Sequence, residues 1–248
     1  KVLTLYTHTA MNRTYGESFI TYDPRYQTLE IHESYTRQKD GNIVKTPDNA
    51  FVEVLPAAAA NAPAFNALRE MVVVHTGLEL GATVYLDYSI TSKPGYLPEI
   101  NVCRQLEQSS PVKEYEIIIA VPQGQRLEYA LDNLKSKPLV TEKEGMKQVS
   151  WVLKNLPALS REPQVSVIGG ELPLLTATTE QKPMAFLSAQ WEREADARLR
   201  TLAGKLTAGA KSDEEKVKAL HSYVIDNLYY SPLPLSETAY RIRPTAEV

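Results

Sequence analysis

Cysteine is nearly missing from these 248 residues. Cys103 is the only one, so no disulfide can close within the chain and cysteine usage does not report the redox compartment. A nucleophilic thiol needs a base, an orienting group and, typically, a helix N-terminus that lowers its pKa. Cys103 lies in the strand-like run "EINVCRQLE" with no helix behind it, and it reads as a packed or tolerated thiol. Histidine is scarce as well, with four residues. His8 and His32 read as alternating strand positions and His75 follows a valine run; none has a second histidine or a carboxylate at metal-ligand spacing. His221 adjoins the apolar stripe of a helix and reads as a half-buried structural residue. Neither charge sign dominates: the formal net charge is −3 and no Lys/Arg run occurs, which gives no electrostatic reason to bind nucleic acid or an anionic membrane. No apolar stretch is long enough to span a bilayer. Glycine-rich phosphate loops are absent; "VIGGELP" has two glycines but no following helix or lysine and reads as a turn. From residue chemistry alone there is no catalytic, cofactor-binding or metal-binding residue to name.

What is present, up to about residue 180, is a period of two. In "ATVYLDYSI", Val84, Leu86, Tyr88 and Ile90 alternate with Thr83, Tyr85, Asp87 and Ser89. In "EYEIIIAVP", Tyr115, Ile117, Ile119 and Val121 share a face and Pro122 ends the run. "QTLEIHESYTRQ" sets Leu29 and Ile31 against Glu30 and His32, and then meets Asp40-Gly41, which predicts a two-residue hairpin turn at positive φ. "MVVVHT" and "KQVSWVL" supply further strands, with Gly77 and Gly81 marking the exit from the first. "PAAAANAPAFN" predicts a long surface loop with a helical turn. Many short strands between Gly, Pro and Asn signals predict an antiparallel β-sandwich, its core drawn from Leu29, Ile31, Val84, Leu86, Ile117, Ile119 and Trp151. Tyrosine is abundant at 14 residues, but the alternation places most of them as ordinary strand residues rather than as a binding face.

Past "QKP" the period changes. Leu187, Trp191, Ala195, Leu199, Leu202 and Leu206 recur at three- and four-residue steps and predict one amphipathic helix, with Glu192, Glu194 and Asp196 near its start and Gly209 at its end. Ser212-Asp213-Glu214-Glu215 predicts a capping box opening a second helix, in which the Glu215 carboxylate returns to Ser212. Val217, Leu220, Val224 and Leu228 form the stripe of that helix, and Pro232 and Pro234 stop it. The pattern divides the chain into a β-sandwich over 1–182 and a helical part over 183–248. The fold class is therefore mainly β with a C-terminal α part.

Four stretches together resemble a known family: "TLEIHESYTRQKDGNIVKTP", "NAPAFNALREMVVVHTGLELGATVYLDYSI", "YEIIIAVPQGQRL" and "VSWVLKNLPALSREP". Their order resembles the domain of unknown function DUF3857, which precedes a transglutaminase-like domain in secreted or periplasmic bacterial proteins, often of Bacteroides type. The tail from Ser188 to Leu233 is similar to the opening helices of a transglutaminase-like α+β domain. The resemblance implies a catalytic cysteine on a later helix, followed by a histidine and an acid. The chain reaches Val248 before any position that matches that cysteine, and Cys103 does not match it, so no catalytic residue carries over.

The resemblance implies the non-catalytic N-terminal portion of a transglutaminase-like protein or cysteine protease, itself inactive, whose partner is the remainder of its own domain. It also implies a periplasmic or extracellular location; the chain opens on Lys1 within a strand-like run, residues upstream are expected to have been removed, and the lack of a signal sequence here is therefore no evidence for the cytoplasm. The alternative, from a different class, is a non-enzymatic module that binds a protein, peptide or glycan on a degenerate transglutaminase-like scaffold. On either reading the tail, with part of its natural core missing, is expected to be the least stable region.

Overall fold

A computed structural model of the chain describes residues 1–94, 96, 99–106, 109–158, 172–179, 183–191, 196–228, 230, 231, 233 and 235–243. The chain is mainly β, the ladders among the described residues are antiparallel, and helices follow near the C-terminus. Residues 1–182, expected as one sandwich from their alternation, form two pairs of sheets belonging to two compact units. One unit is Lys1–Leu97 with Met184–Val248, and the other is Pro98–Pro183.

The first unit pairs a four-stranded sheet with a three-stranded one. The larger sheet runs β1-β7-β3-β4, with β1 at Val2–Thr4, β7 at Thr83–Ser92, β3 at Gln27–Arg37 and β4 at Ile43–Lys45. The smaller runs β2-β6-β5, with β2 at Glu17–Tyr22, β6 at Arg69–Val74 and β5 at Phe51–Val54. A helical turn, α1 (Arg13–Gly16), leads into β2. Ile20, Val73 and Leu86 are buried between the sheets, and Leu29, Ile31, Phe51 and Met71 pack against them.

The inward set of β3 changes chemistry along the strand. Ile31 lies opposite Tyr88, but Glu33 lies opposite Asp87, so His32 is the extra residue of a β-bulge. Beyond it Ser34 and Thr36 face Leu86 and Val84, which puts the Thr36 side chain fully inside the unit. On β7 the expected face is buried at Val84 and Leu86 and opens to solvent at Tyr88 and Ile90.

In the second unit the sheets run β10-β13-β8 and β11-β12-β9. Their strands are β8 (Asn101–Gln105), β9 (Val112–Pro122), β10 (Glu128–Asp132), β11 (Leu139–Lys143), β12 (Met146–Leu156) and β13 (Leu174–Thr178). Ile119, Val121, Val149, Trp151, Leu153, Leu175 and Ala177 make the core, with Ile117 packed against it. The expected register holds: Ile119 is 8% exposed and Ile118 55%. A one-residue slip would exchange those two sets. Trp151 is buried and meets Tyr129 edge-on, with ring centroids 5.6 Å apart.

The hairpin turns differ from the sequence expectation. Asp40-Gly41 lies in a longer loop closed by a hydrogen bond from the Gln38 amide to the Asn42 carbonyl, and only Gly41 of the pair has positive φ. The tight turn is at Glu144-Gly145 instead. There Lys143 lies opposite Met146 and both turn residues have positive φ, as a type I′ hairpin requires. The alanine-rich loop carries two short 3-10 turns, Ala57–Ala59 and Pro63–Phe65. "VIGGELP" lies outside the described residues except for Leu172 and Pro173.

The predicted helix through Trp191 is two helices. α2 covers Pro183–Ala189 and α3 covers Ala197–Thr207. Trp191 follows α2 and is 69% exposed; Ala195, also on the expected stripe, lies outside the described residues. The physical reason is Asp196, whose carboxylate accepts the Leu199 amide at 2.8 Å and caps a new helix. Asp196 therefore starts α3 instead of lying inside an earlier helix. The third helix, α4 (Asp213–Asn227), has the expected cap: the Ser212 hydroxyl accepts the Glu215 amide at 3.2 Å. The Glu215 carboxylate reaches the Lys211 amide at 2.6 Å, one residue before the expected Ser212.

Truncating Trp151 to Ala is expected to destabilise the second unit by about 3–5 kcal/mol. Val152→Ala, on the outer face next to it, is expected to stay within about 0.5 kcal/mol. Urea unfolding followed by circular dichroism separates the two, and comparable losses would refute this assignment of faces.

Candidate functional site

The residues with reactive side chains are dispersed. Cys103 is exposed in the middle of β8, opposite Thr176 of β13. His8 is exposed in a 3-10 turn, His8–Met11, rather than in a strand, because the Thr7 side chain caps that turn by accepting the Ala10 amide. His32 sits at the β3 bulge, 2.9 Å from the Ser89 hydroxyl. His221 is exposed on α4, not half-buried, since that helix buries none of its side chains. Among the described residues no three His, Cys, Asp or Glu side chains converge to hold a metal ion.

One pair was not foreseen. The Ser18 hydroxyl on β2 lies 2.9 Å from His75 Nε2, just past the end of β6. A serine against an imidazole is the first contact of a nucleophile–base pair, but this one is enclosed: both residues are buried. Among the described residues His75 Nδ1 has no hydrogen-bond partner and no carboxylate orients the ring. Burial, with a smaller contribution from the Lys1 charge, depresses the His75 pKa from 6.5 to about 4. The ring is thus neutral at ordinary pH. The pair fills the polar end of the sandwich interior and has no open face for substrate. Its two members are 57 residues apart, and no local motif signals their meeting.

The most developed polar constellation is at the turn between β2 and β3. Tyr26 and Tyr96 stack with ring centroids 5.0 Å apart and planes within 7°. The Arg241 guanidinium lies 4.9 Å from the Tyr26 ring and 5.8 Å from the Tyr96 ring, and Arg25 lies 5.2 Å from the Tyr26 ring. Asp23 is buried and receives both Arg25 Nε (3.0 Å) and Nη2 (2.7 Å). Burial works to raise the Asp23 pKa, but the Arg25 hydrogen bonds and the charges of Arg25 and Arg241 outweigh it, and the carboxyl titrates below the usual range. The Lys93 ammonium donates to the Arg25 carbonyl at 2.7 Å. The neighbouring chain is held at two points by the Gln190 side chain, which donates to the Tyr240 carbonyl at 3.0 Å and accepts the Ile242 amide at 3.1 Å. This arrangement seats the segment after α4 on the β2–β3 turn. Nothing in it is disposed for proton transfer or nucleophilic attack.

The other distinctive surface is on the helices. α3 and α4 bury no side chain completely. Along the predicted stripe of α4, Val217 is 64% exposed and Val224 49%, and Ile225 beside it is 63% exposed. A capped helix with its aliphatic stripe in solvent forgoes on the order of 1.5–3 kcal/mol for each side chain left unburied.

Comparisons agree with the architecture. Residues 1–160 match the family model DUF3857, described as a Domain of Unknown Function with solved-structure structure. Among solved structures, the chain is similar to a protein from Parabacteroides distasonis ATCC 8503 described as a "putative protease", at 49% sequence identity and a TM-score of 0.89. The alignment covers 98% of this chain and 48% of that one, so the chain spans about half the length of its match. No curated protein matches the chain.

Because the His75 pKa is lower folded than unfolded, the unfolded state binds more protons between pH 6.5 and about 4. Its contribution to stability is complete above pH 6.5 and is lost as the pH falls through that window. The expected loss is roughly 2 kcal/mol after allowance for solvent screening. His75→Gln should flatten the pH profile of chemical unfolding there, and an unchanged slope would remove His75 as its source.

Proposed function

The chain belongs to the DUF3857 family, and from that membership we propose that it is the non-catalytic N-terminal scaffold of an extracytoplasmic transglutaminase-like protein or cysteine protease. The observation that carries this reading is the bare aliphatic stripe of α4. A helix this well capped, with valines and isoleucine turned to solvent, is the first layer of a core completed by further polypeptide. The match to a protein about twice as long, described as a "putative protease", supports the same reading. So does the seating of residues 240–242 by Gln190 and the Tyr26–Tyr96 pair. Acyl transfer to water and to an amine share a thioester intermediate, so a cysteine, a histidine and an acid supplied by that further polypeptide would serve either outcome. The scaffold itself contributes no reacting group. Its proposed partner is the rest of its own transglutaminase-like domain, and its proposed location is the periplasm or the extracellular space.

The chain alone is expected to show no thiol-dependent peptide hydrolysis and no glutaminyl transfer. Turnover that disappears in Cys103→Ala would overturn this, since it would place the nucleophile on β8.

Hydrogen exchange tests the incomplete core. In a dilute sample the amides of Asp213–Asn227 are expected to exchange well before those of β12, which lies between two neighbours in its sheet. In a polypeptide extended to the length of the matched protein, the same amides should become protected. Equal protection of α4 and β12 in the chain alone would mean that α4 already has its full set of contacts.

A further inference from the structure

We infer that the outer edge of β9 in the second unit is a docking site for an extended polypeptide whose side chains alternate between apolar and basic, a reading that goes beyond the scaffold role. β9 runs for 11 residues and, among the described residues, pairs only with β12. Outside that ladder, the backbone of Val112–Val121 makes no hydrogen bond to any described residue. A strand has two hydrogen-bonding edges, and leaving one open over such a length is a liability that proteins usually blunt with short strands, bulges or inward charges. β9 has no bulge against β12 and holds one register from Val112 to Pro122. On its inward face Tyr115, Ile117 and Ile119 are apolar or aromatic, and Lys113 at the start of the strand is exposed.

The surroundings specify the side chains of an added strand. Beside the open edge, a cleft of about 290 Å³ lies between β9 and the facing edge strand β8, lined by apolar residues of β8, β9 and β13 together with Arg104 and Glu116. Inward side chains of the added strand would enter this cleft beside Ile117, Ile119 and Leu175. Its outward side chains would lie beside Glu114, Glu116 and Ile118. Glu114 is 3.6 Å from Lys154, whereas Glu116 lies opposite Val152 in the sheet and has no described cation as a partner. A basic residue next to Glu116 supplies the missing charge, and cross-strand pairs of opposite charge stabilise a sheet. Strand addition of this kind takes its affinity from the backbone and its specificity from alternate side chains.

A second copy of the chain fits the same edge less well. Antiparallel self-pairing of the whole strand centres on Ile117 and places Glu116 beside Ile118 and Glu114 beside Ala120, with no opposite charge across the seam.

The test uses three capped synthetic peptides: one alternating lysine and valine, one alternating glutamate and valine, and the lysine peptide N-methylated along one edge. The lysine peptide is expected to protect amides of Val112–Val121 from exchange, and the other two to bind at least about tenfold more weakly. Glu116→Lys should weaken the lysine peptide by about tenfold while its circular dichroism melt stays that of the wild type. Equal binding of the N-methylated peptide, protection confined to other strands, or no binding up to about millimolar peptide would overturn the proposal. So would protection of β9 that rises with protein concentration in the absence of peptide, which would assign the edge to a second copy.

Discussion

A β-sheet built from amphipathic strands has one face to bury, and that face must meet another like it. This constraint organises the rest of the molecule. The sheet of β1, β7, β3 and β4 meets the sheet of β2, β6 and β5 through Ile20, Val73 and Leu86. The sheet of β11, β12 and β9 meets that of β10, β13 and β8 through Trp151 and its neighbours. Each pair closes a core of its own, which is why a strand-rich stretch of this length forms two compact units rather than one larger sandwich. Each closure also leaves remainders. In the first unit the bulge at His32 turns Ser34 and Thr36 inward, and the sandwich interior becomes polar where His75 meets Ser18. In the second unit the remainder is the open edge of β9.

The polar interior and the tyrosine–arginine seat meet one physical demand in different ways. A buried ionisable group must either give up its charge or be paired. His75 takes the first course: enclosure holds it neutral, and its hydrogen bond to Ser18 involves no ion. Asp23 takes the second. It keeps its charge because Arg25 meets it with two hydrogen bonds, and the planar guanidinium is then free to lie against Tyr26. Arg241 approaches the same stacked rings from the C-terminal segment. A single buried carboxylate therefore helps to set the place where the helical part of the unit is fastened.

Much of this was legible because burial in a strand has period two. The alternation in "EYEIIIAVP" put Ile117 and Ile119 inward and Ile118 outward, and the structure agrees. The Ser212 cap was equally legible, since a cap needs only residues within one turn. What escaped reading is what distance in sequence conceals. The division into two units depends on which sheet meets which, and an alternating strand does not encode the identity of its partner. Ser18 and His75 meet only because β2 pairs with β6. Local competition misled in two places. Asp196, read as an acid near a helix start, caps a new helix and interrupts the apolar stripe. Asp40-Gly41 has the composition of a tight turn, but the closing bond between Gln38 and Asn42 makes the loop longer.

The surfaces left over differ in kind, and the difference matters for what each can recruit. The stripe of α4 offers aliphatic area without directional groups, so whatever covers it is selected by shape and hydrophobicity. The edge of β9 offers a row of backbone donors and acceptors, which only another extended chain in register can satisfy. A polypeptide that covers α4 therefore leaves the demand at β9 unmet, and a strand added to β9 does nothing for the helices. The first requirement calls for a packed core, which the rest of a larger fold can supply. The second calls for an extended segment with its own backbone groups to offer, and in the proposed pairing Glu116 favours a basic neighbour. The proposed covering of α4 and the proposed strand addition at β9 are thus separable demands, one for apolar area and one for backbone pairing.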